Sequence, residues 1–315
     1  MSDEVEPFRY IRVADLAASP PGESWLIRSL WTRSAAGVLG GSPKLGKTWI
    51  ALDMAVSVAS KTACLGRFEV DDPGFVLVYF AEDTQQAIRS RIEGICRHRG
   101  LTLDQVDLFV VDVPTLRLDV AVDLDRLEET IFLVRPRLLV LDSLVRMHAL
   151  DENSAHDISG MLAHLTRLQR TYDCAVVLVH HTSKRGAGRP GEALRGSTDL
   201  HAWGASNAYL TRRQDHTLLS IEHRAARPPD PMMLELVSDA DGGATHFEII
   251  GASAPSEPAK ALRDRILEAL RGAAPLRRGD LRSRLGVNNE RLGKALDDLE
   301  AEGQIIRTAD GWRVA

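Results

Sequence analysis

The octapeptide Gly41-Ser-Pro-Lys-Leu-Gly-Lys-Thr48 constrains this chain more than any other stretch. It matches the pattern G-x-x-x-x-G-K-S/T in full. A short apolar run closing at Gly37 to Gly40 precedes it, and the Ala-rich segment Thr48 to Ser60 that follows reads as a helix. A strand that enters a glycine-bearing loop and then opens a helix is the context this motif requires. The glycines let successive backbone N–H groups curl around phosphates, and the helix N-terminus favours their negative charge. Lys47 is placed to reach the β and γ phosphates, and the Thr48 hydroxyl to ligate a magnesium ion. Gly41, Ser42, Pro43, Lys44, Leu45, Gly46, Lys47, Thr48 and Trp49 are the expected nucleotide contacts, with ATP and Mg²⁺ as cofactors. The rival reading is a chance glycine-rich turn.

The rest of the chain supplies a matching framework. Phe75 to Phe80 is a continuous apolar run, as buried parallel strands are. Thr84 to Arg99 carries Ile88, Ile92 and Ile95 at helical spacing. Leu108 to Val111 reads as a strand, Leu124 to Val134 as a helix, and Arg137 to Leu141 as a strand ending at Asp142. Ile158 to Tyr172 reads as a helix, and Ala175 to Val179 as a strand ending at His180. Alternation of this kind predicts an α/β fold, a mainly parallel sheet with helices on both faces. Beyond residue 204 the short runs Ala205 to Thr211, Thr217 to Glu222, Leu234 to Val237 and Thr245 to Ile250 predict an antiparallel extension. Residues 1–34 read as an irregular lead-in packing on the core, with the nucleotide domain over 35–250.

Polar side chains at strand ends are the candidates for chemistry. Asp142 ends an apolar strand, where a carboxylate can hold Mg²⁺ through water; the bland alternative is a turn cap. Glu82 follows the strand expected to lie beside the phosphate-loop strand, so it can orient and deprotonate an attacking water. Asp83 competes for that role, and both acids can instead suit the start of the next helix. His180 and His181 end another strand, where one of them can sense the γ-phosphate. A zinc site is the rival for a histidine pair, but no cysteine or HExxH spacing supports it. The loop 182–192 carries Lys184, Arg185 and Arg189 among glycines. It reads either as a grip for single-stranded nucleic-acid phosphates or as an ordinary solvated loop.

Composition narrows the class. The chain has 315 residues and a net charge of −5, so it is no polycation, and any nucleic-acid contact must come from local patches. No run approaches the roughly 20 apolar residues of a membrane helix. Three scattered cysteines and an acidic, polar N-terminus point to a reducing, cytoplasmic setting without a secretory signal. Charge shifts near 251–258, a small, Pro-containing stretch that reads as a linker. Residues 259–315 hold 12 Lys/Arg against 9 Asp/Glu. They read as a winged helix: three helices, then a hairpin across Ala309-Asp310-Gly311. Its third helix offers Arg291 and Lys294 to DNA. It also carries Asp297, Asp298, Glu300 and Glu302, which suit a protein partner instead.

Six segments together resemble the plasmid replicative helicase RepA family, part of the wider RecA-like ATPases and related to DnaB-type helicase domains. They are Gly41 to Thr48, Ala81-Glu82-Asp83, Leu141-Asp142-Ser143-Leu144-Val145-Arg146, Asp151-Glu152-Asn153-Ser154-Ala155, His180-His181-Thr182-Ser183-Lys184 and Leu194-Arg195-Gly196-Ser197. The resemblance spans about residues 10–250, and the C-terminal domain is not part of the minimal plasmid helicase. It implies a RecA-like core and a homo-oligomer, a hexameric ring with ATP between subunits, acting on DNA. It further implies Glu82 as base, Asp142 as the magnesium aspartate and His181 as γ-phosphate sensor. Arg195 would be an arginine finger for the neighbour's ATP, and Arg224 a second basic residue acting in trans. Two other functions stay open beside a motor: an ATP-gated DNA-binding switch or loader that does not unwind, and a monomeric P-loop kinase.

Overall fold

A computed structural model describes residues 8, 10–15, 24–151, 154–181, 198–213, 215–238, 243–250, 259–271, 275–285, 289–308 and 311–314. The chain divides into two compact units, 1–250 and 251–315.

The larger unit is built on a nine-stranded sheet. A short hairpin comes first in the chain, β1 (Trp25–Ile27) with β2 (Trp31–Thr32). Then follow β3 (Ala36–Gly41), α1 (Lys47–Ser60), β4 (Val76–Phe80), α2 (Gln85–His98), β5 (Leu108–Val110), α3 (Ala121–Val134), β6 (Leu138–Asp142), α4 (Ala155–Tyr172), β7 (Ala175–His181) and α5 (Thr198–Trp203). Four further strands complete the unit: β8 (Ser206–Arg213), β9 (His216–His223), β10 (Met232–Val237) and β11 (His246–Ile250). The order across the sheet is β11-β10-β9-β8-β3-β7-β6-β4-β5. Strands β8, β3, β7, β6, β4 and β5 pair in parallel, and β9, β10 and β11 add antiparallel. This is the mainly parallel α/β sheet with an antiparallel extension that the alternating pattern predicts.

The central strands are buried on both faces, so each alternates its side chains between two cores. Val76, Val78 and Phe80 join Leu138, Val140 and Val177 against α1 and α2. Leu77 and Tyr79 join Leu139, Leu141 and Leu178 against α3 and α4. Two helix boundaries show their chemistry locally. Thr84 caps α2 by accepting the Ala87 N–H, and α1 closes on Lys61 in the left-handed conformation.

Three expectations need correcting. Strand β4 does not lie beside β3, because β6 and β7 stand between them. In a parallel sheet the chain crosses over by helices, so sequence order does not fix strand order. All four strands still end at one edge, with Gly41 opposite His181 and Phe80 opposite Asp142. Residues 24–34 are also not irregular. Leu26, Ile27, Leu30 and Trp31 are buried in the core, and the Trp31 indole N–H donates to the Ala35 carbonyl at 3.1 Å. Strands of three and two residues are too short to leave an alternation in the sequence. Strand β8, finally, enters the sheet parallel to β3 at Leu39 to Gly41; only β9 to β11 are antiparallel. Gly37 allows its close approach, since a Cβ there would lie 1.7 Å from the Ser206 carbonyl oxygen.

The smaller unit holds α6 (Ala259–Leu270), α7 (Arg278–Leu285), α8 (Asn289–Ala301) and the hairpin β12 (Ile305–Thr308) with β13 (Gly311–Val314). Leu276 and Trp312 exchange both backbone hydrogen bonds, adding a bridge beside the hairpin. Leu262, Ile266, Leu281, Leu292, Leu296, Leu299, Ile305 and Trp312 form its own apolar core. The 251–258 segment lies outside the described residues.

Candidate nucleotide site

The phosphate loop takes its shape from two left-handed residues. Lys44 has φ 64° and Gly46 has φ 84°. A side chain at Gly46 is further blocked by the Phe247 ring, 2.5 Å from where a Cβ would stand. Glycine is therefore required there twice, by backbone conformation and by space. Leu45 turns into the core, so within the loop it offers a cofactor only its backbone.

Lys47 begins α1 and is buried. Its ammonium donates to the carbonyl oxygens of Gly41 at 2.9 Å and Ser42 at 3.0 Å. Burial pushes its pKa down to about 8, against the pull of Asp142 and Glu82. Thr48 follows, and its hydroxyl donates to Asp142 Oδ2 at 2.7 Å. Asp142 is buried at the end of β6, and burial raises its pKa to about 6 despite the Thr48 hydrogen bond and the Lys47 charge. A hydroxyl and a buried carboxylate in contact form a hard-oxygen pair of the kind that suits Mg²⁺.

A cavity of about 420 Å³ opens at this strand edge. Lys44, Gly46, Lys47, Thr48, Trp49, Glu82, Asp83, Arg91, Asp142, His181 and Leu236 line it. The structure thus brings Lys44, Gly46, Lys47, Thr48 and Trp49 of the expected nucleotide contacts together with Glu82, Asp83, Asp142 and His181, while Gly41, Ser42, Pro43 and Leu45 are not among the lining residues. His181 faces the cavity, whereas His180 is buried and does not line it.

Glu82 and Asp83 are held differently. Glu82 Oε1 accepts from the Arg146 Nε–H at 2.8 Å and from the Ser143 hydroxyl at 3.2 Å. The Arg146 hydrogen bond, opposed by partial burial, holds Glu82 below the usual carboxylate range. Asp83 has both oxygens engaged by Arg91, at 2.6 and 2.9 Å. The Arg91 guanidinium also lies 5.6 Å from the Trp49 ring centre. Arg91 escaped the sequence reading because nothing local marks it; only the second turn of α2 carries it back over Trp49. Arg146 appeared there only within a resembling segment, with no role of its own.

Other candidates fall elsewhere. The exposed Arg224 guanidinium donates to the Ala202 carbonyl at 2.6 Å and the Trp203 carbonyl at 3.3 Å, at the end of α5. It does not line the cavity. Lys184, Arg185, Arg189 and Arg195 lie outside the described residues, and so do the side chains of Arg291 and Lys294 on α8. Among the described residues no cluster of three or more metal-binding side chains occurs, and no helix is long and apolar enough to cross a membrane.

Comparison with known proteins places these features in a family. The AAA domain profile matches residues 3–187, more than half of the chain. A solved structure described as a DnaB-like replicative helicase with its interactions with primase is similar at 14% identity and a TM-score of 0.49. That match covers 65% of this chain and 56% of the other, so the present chain spans little more than half of that protein's length. With its phosphate loop, strand-end aspartate and second carboxylate gathered in one cavity, the chain belongs to the AAA domain family.

Proposed function

We propose that this protein is an ATP-hydrolysing motor acting on DNA, with Mg-ATP seated in the cavity at the edge of the parallel strands. The convergence of Lys47, Thr48, Asp142, Glu82 and His181 from four separate elements on that cavity carries the proposal. The loop N–H groups and Lys47 bind the phosphates. Thr48 and Asp142 hold the magnesium ion, which supplies charge neutralisation between the phosphates when bound. Glu82 takes a proton from the attacking water, because Asp83 is already committed on both oxygens to Arg91. His181, paired in register with Gly41, reports the state of the γ-phosphate to the segment that follows β7.

The same reading extends to a ring. ATP would sit between subunits, with Arg195 of each completing the site of its neighbour and Arg224 ordering the adjoining helix end. DNA would meet Lys184, Arg185 and Arg189 on the segment after β7. We read residues 259–315 as a winged helix. Asp297, Asp298 and Glu300 are exposed on α8, an acidic surface that favours a protein partner over deep insertion in a DNA groove. That observation supports a second reading, an ATP-gated switch or loader that does not unwind.

Lys47→Ala tests the nucleotide reading. The variant should fold normally by circular dichroism, bind ATP weakly and show no turnover above background. Normal turnover would end the assignment. Strand displacement alongside DNA-stimulated turnover separates the motor from the switch.

A further inference from the structure

The proposed base is engaged before any reaction begins. Glu82 Oε1 receives two donors, the Arg146 Nε–H at 2.8 Å and the Ser143 hydroxyl at 3.2 Å. A general base must offer a lone pair to water, and near neutral pH it works best when its basicity is raised. The guanidinium does the opposite, holding Glu82 below the usual carboxylate range. The contact therefore suits a resting site rather than a working one.

It is also built to be broken. The Arg146 and Glu82 side chains are 65% and 47% exposed, so their ion pair is weak. Arg146 sits on a single 3-10 turn, Leu144–Arg146, directly after β6, and its neighbour Val145 is exposed as well. The turn thus presents a guanidinium to solvent beside Glu82, which lines the cavity. A guanidinium fork matches the two free oxygens of a phosphodiester bidentately, whereas Glu82 holds it through one N–H on one oxygen. An external phosphate can therefore outcompete Glu82 for it.

We propose that Arg146 is a positioning residue that restrains Glu82 until a nucleic-acid phosphate takes its guanidinium, so that binding the polymer releases the base. The proposal rests on Glu82 being the base. It gives the DNA-dependence of the motor a physical origin: a phosphate seated on the side-on fork takes the same Nε–H that Glu82 now holds, so the polymer and the catalytic carboxylate compete for it.

The test uses the full chain, with oligothymidylate as the nucleic acid and steady-state ATP turnover as the readout. Wild type should turn over slowly alone and faster with oligothymidylate. Arg146→Ala should raise the unstimulated kcat roughly two- to fivefold, the range that loss of an exposed ion pair supports. Its KM for ATP should stay unchanged and its stimulation should vanish. Arg146→Lys keeps the charge but not the fork, and should fall between the two. A kcat lowered by Arg146→Ala would overturn the proposal, because the residue would then assist the reaction. A raised KM would overturn it too, pointing to a contact with ATP itself, and so would a wild type indifferent to oligothymidylate. The function proposed above is judged separately: if wild type hydrolyses ATP, Lys47→Ala does not, and Arg146→Ala shows no rise, only the restraint is lost.

Discussion

Asp142 and Glu82 end or follow neighbouring strands, yet their surroundings push them in opposite directions. Burial lifts Asp142 to about 6, so a cation beside it relieves a real electrostatic cost. Arg146 lowers Glu82, which stays ionised and half-exposed. Asp83 is bound to Arg91, and Arg91 reaches Trp49. Asp83→Asn should therefore loosen Arg91 and weaken ATP binding while sparing the chemical step; fluorescent-nucleotide titration and kcat at saturating ATP would check both. A large loss of kcat with unchanged binding would shift the base to Asp83. The carboxylates were legible in the sequence because they end apolar runs beside a phosphate loop. Their partners were not, since Arg91 and Arg146 meet them only through helical and turn geometry. The strand pattern alone did not separate His181 from His180, because adjacent residues on a strand face opposite sides; the resemblance named His181, and that is the residue lining the cavity.

At the level of elements, α1 and α2 are joined by a buried ion pair. Arg99 Nη2 lies 2.7 Å from Asp53 Oδ1, and both side chains are under a tenth exposed. Asp53 also accepts the Leu65 N–H at 2.7 Å. Removing one partner strands the other charge, so Asp53→Ala should cost about 3–5 kcal/mol in a denaturant titration. A loss comparable to that of an exposed pair would contradict this. Nearby, the His98 ring stacks on His246 at 3.4 Å between centroids, joining the end of α2 to β11. Burial, then the neighbouring His246 and Arg99, hold His98 below its usual value, against Glu248 and Asp53. A lowered folded value means that the stability is complete above the unfolded value of about 6.5 and is lost as pH falls through the folded one. Denaturation midpoints should fall from about pH 7.5 to about pH 5.5, straddling that value, and should fall less in His98→Gln. An equal fall in both proteins would remove His98 from the account. Most of these elements could be read in advance, because long apolar runs and 3.6-residue spacing mark them. Strand order could not, since crossover helices leave no record of which strand lies beside which; hence β4 was expected next to β3, yet two strands stand between them.

Across the whole molecule, every residue of the cavity precedes the segment at 251–258. A chain ending near Pro258 should keep basal ATP turnover, measured beside the full chain at equal concentration. Loss of turnover with retained folding would tie the smaller unit to the reaction. The ring reading predicts complementation. Lys47→Ala subunits retain Arg195, and Arg195→Ala subunits retain an intact phosphate loop, so mixtures that have exchanged subunits should recover part of the activity both lack alone. The central claim is that the cavity hydrolyses ATP with Glu82 as its base. Its most direct test is Glu82→Gln in the full chain, with ATP binding and turnover measured on the same sample. The account predicts ATP affinity close to wild type and turnover slower by about 10²-fold or more, the usual range for losing a general base. Wild-type turnover in Glu82→Gln would contradict it.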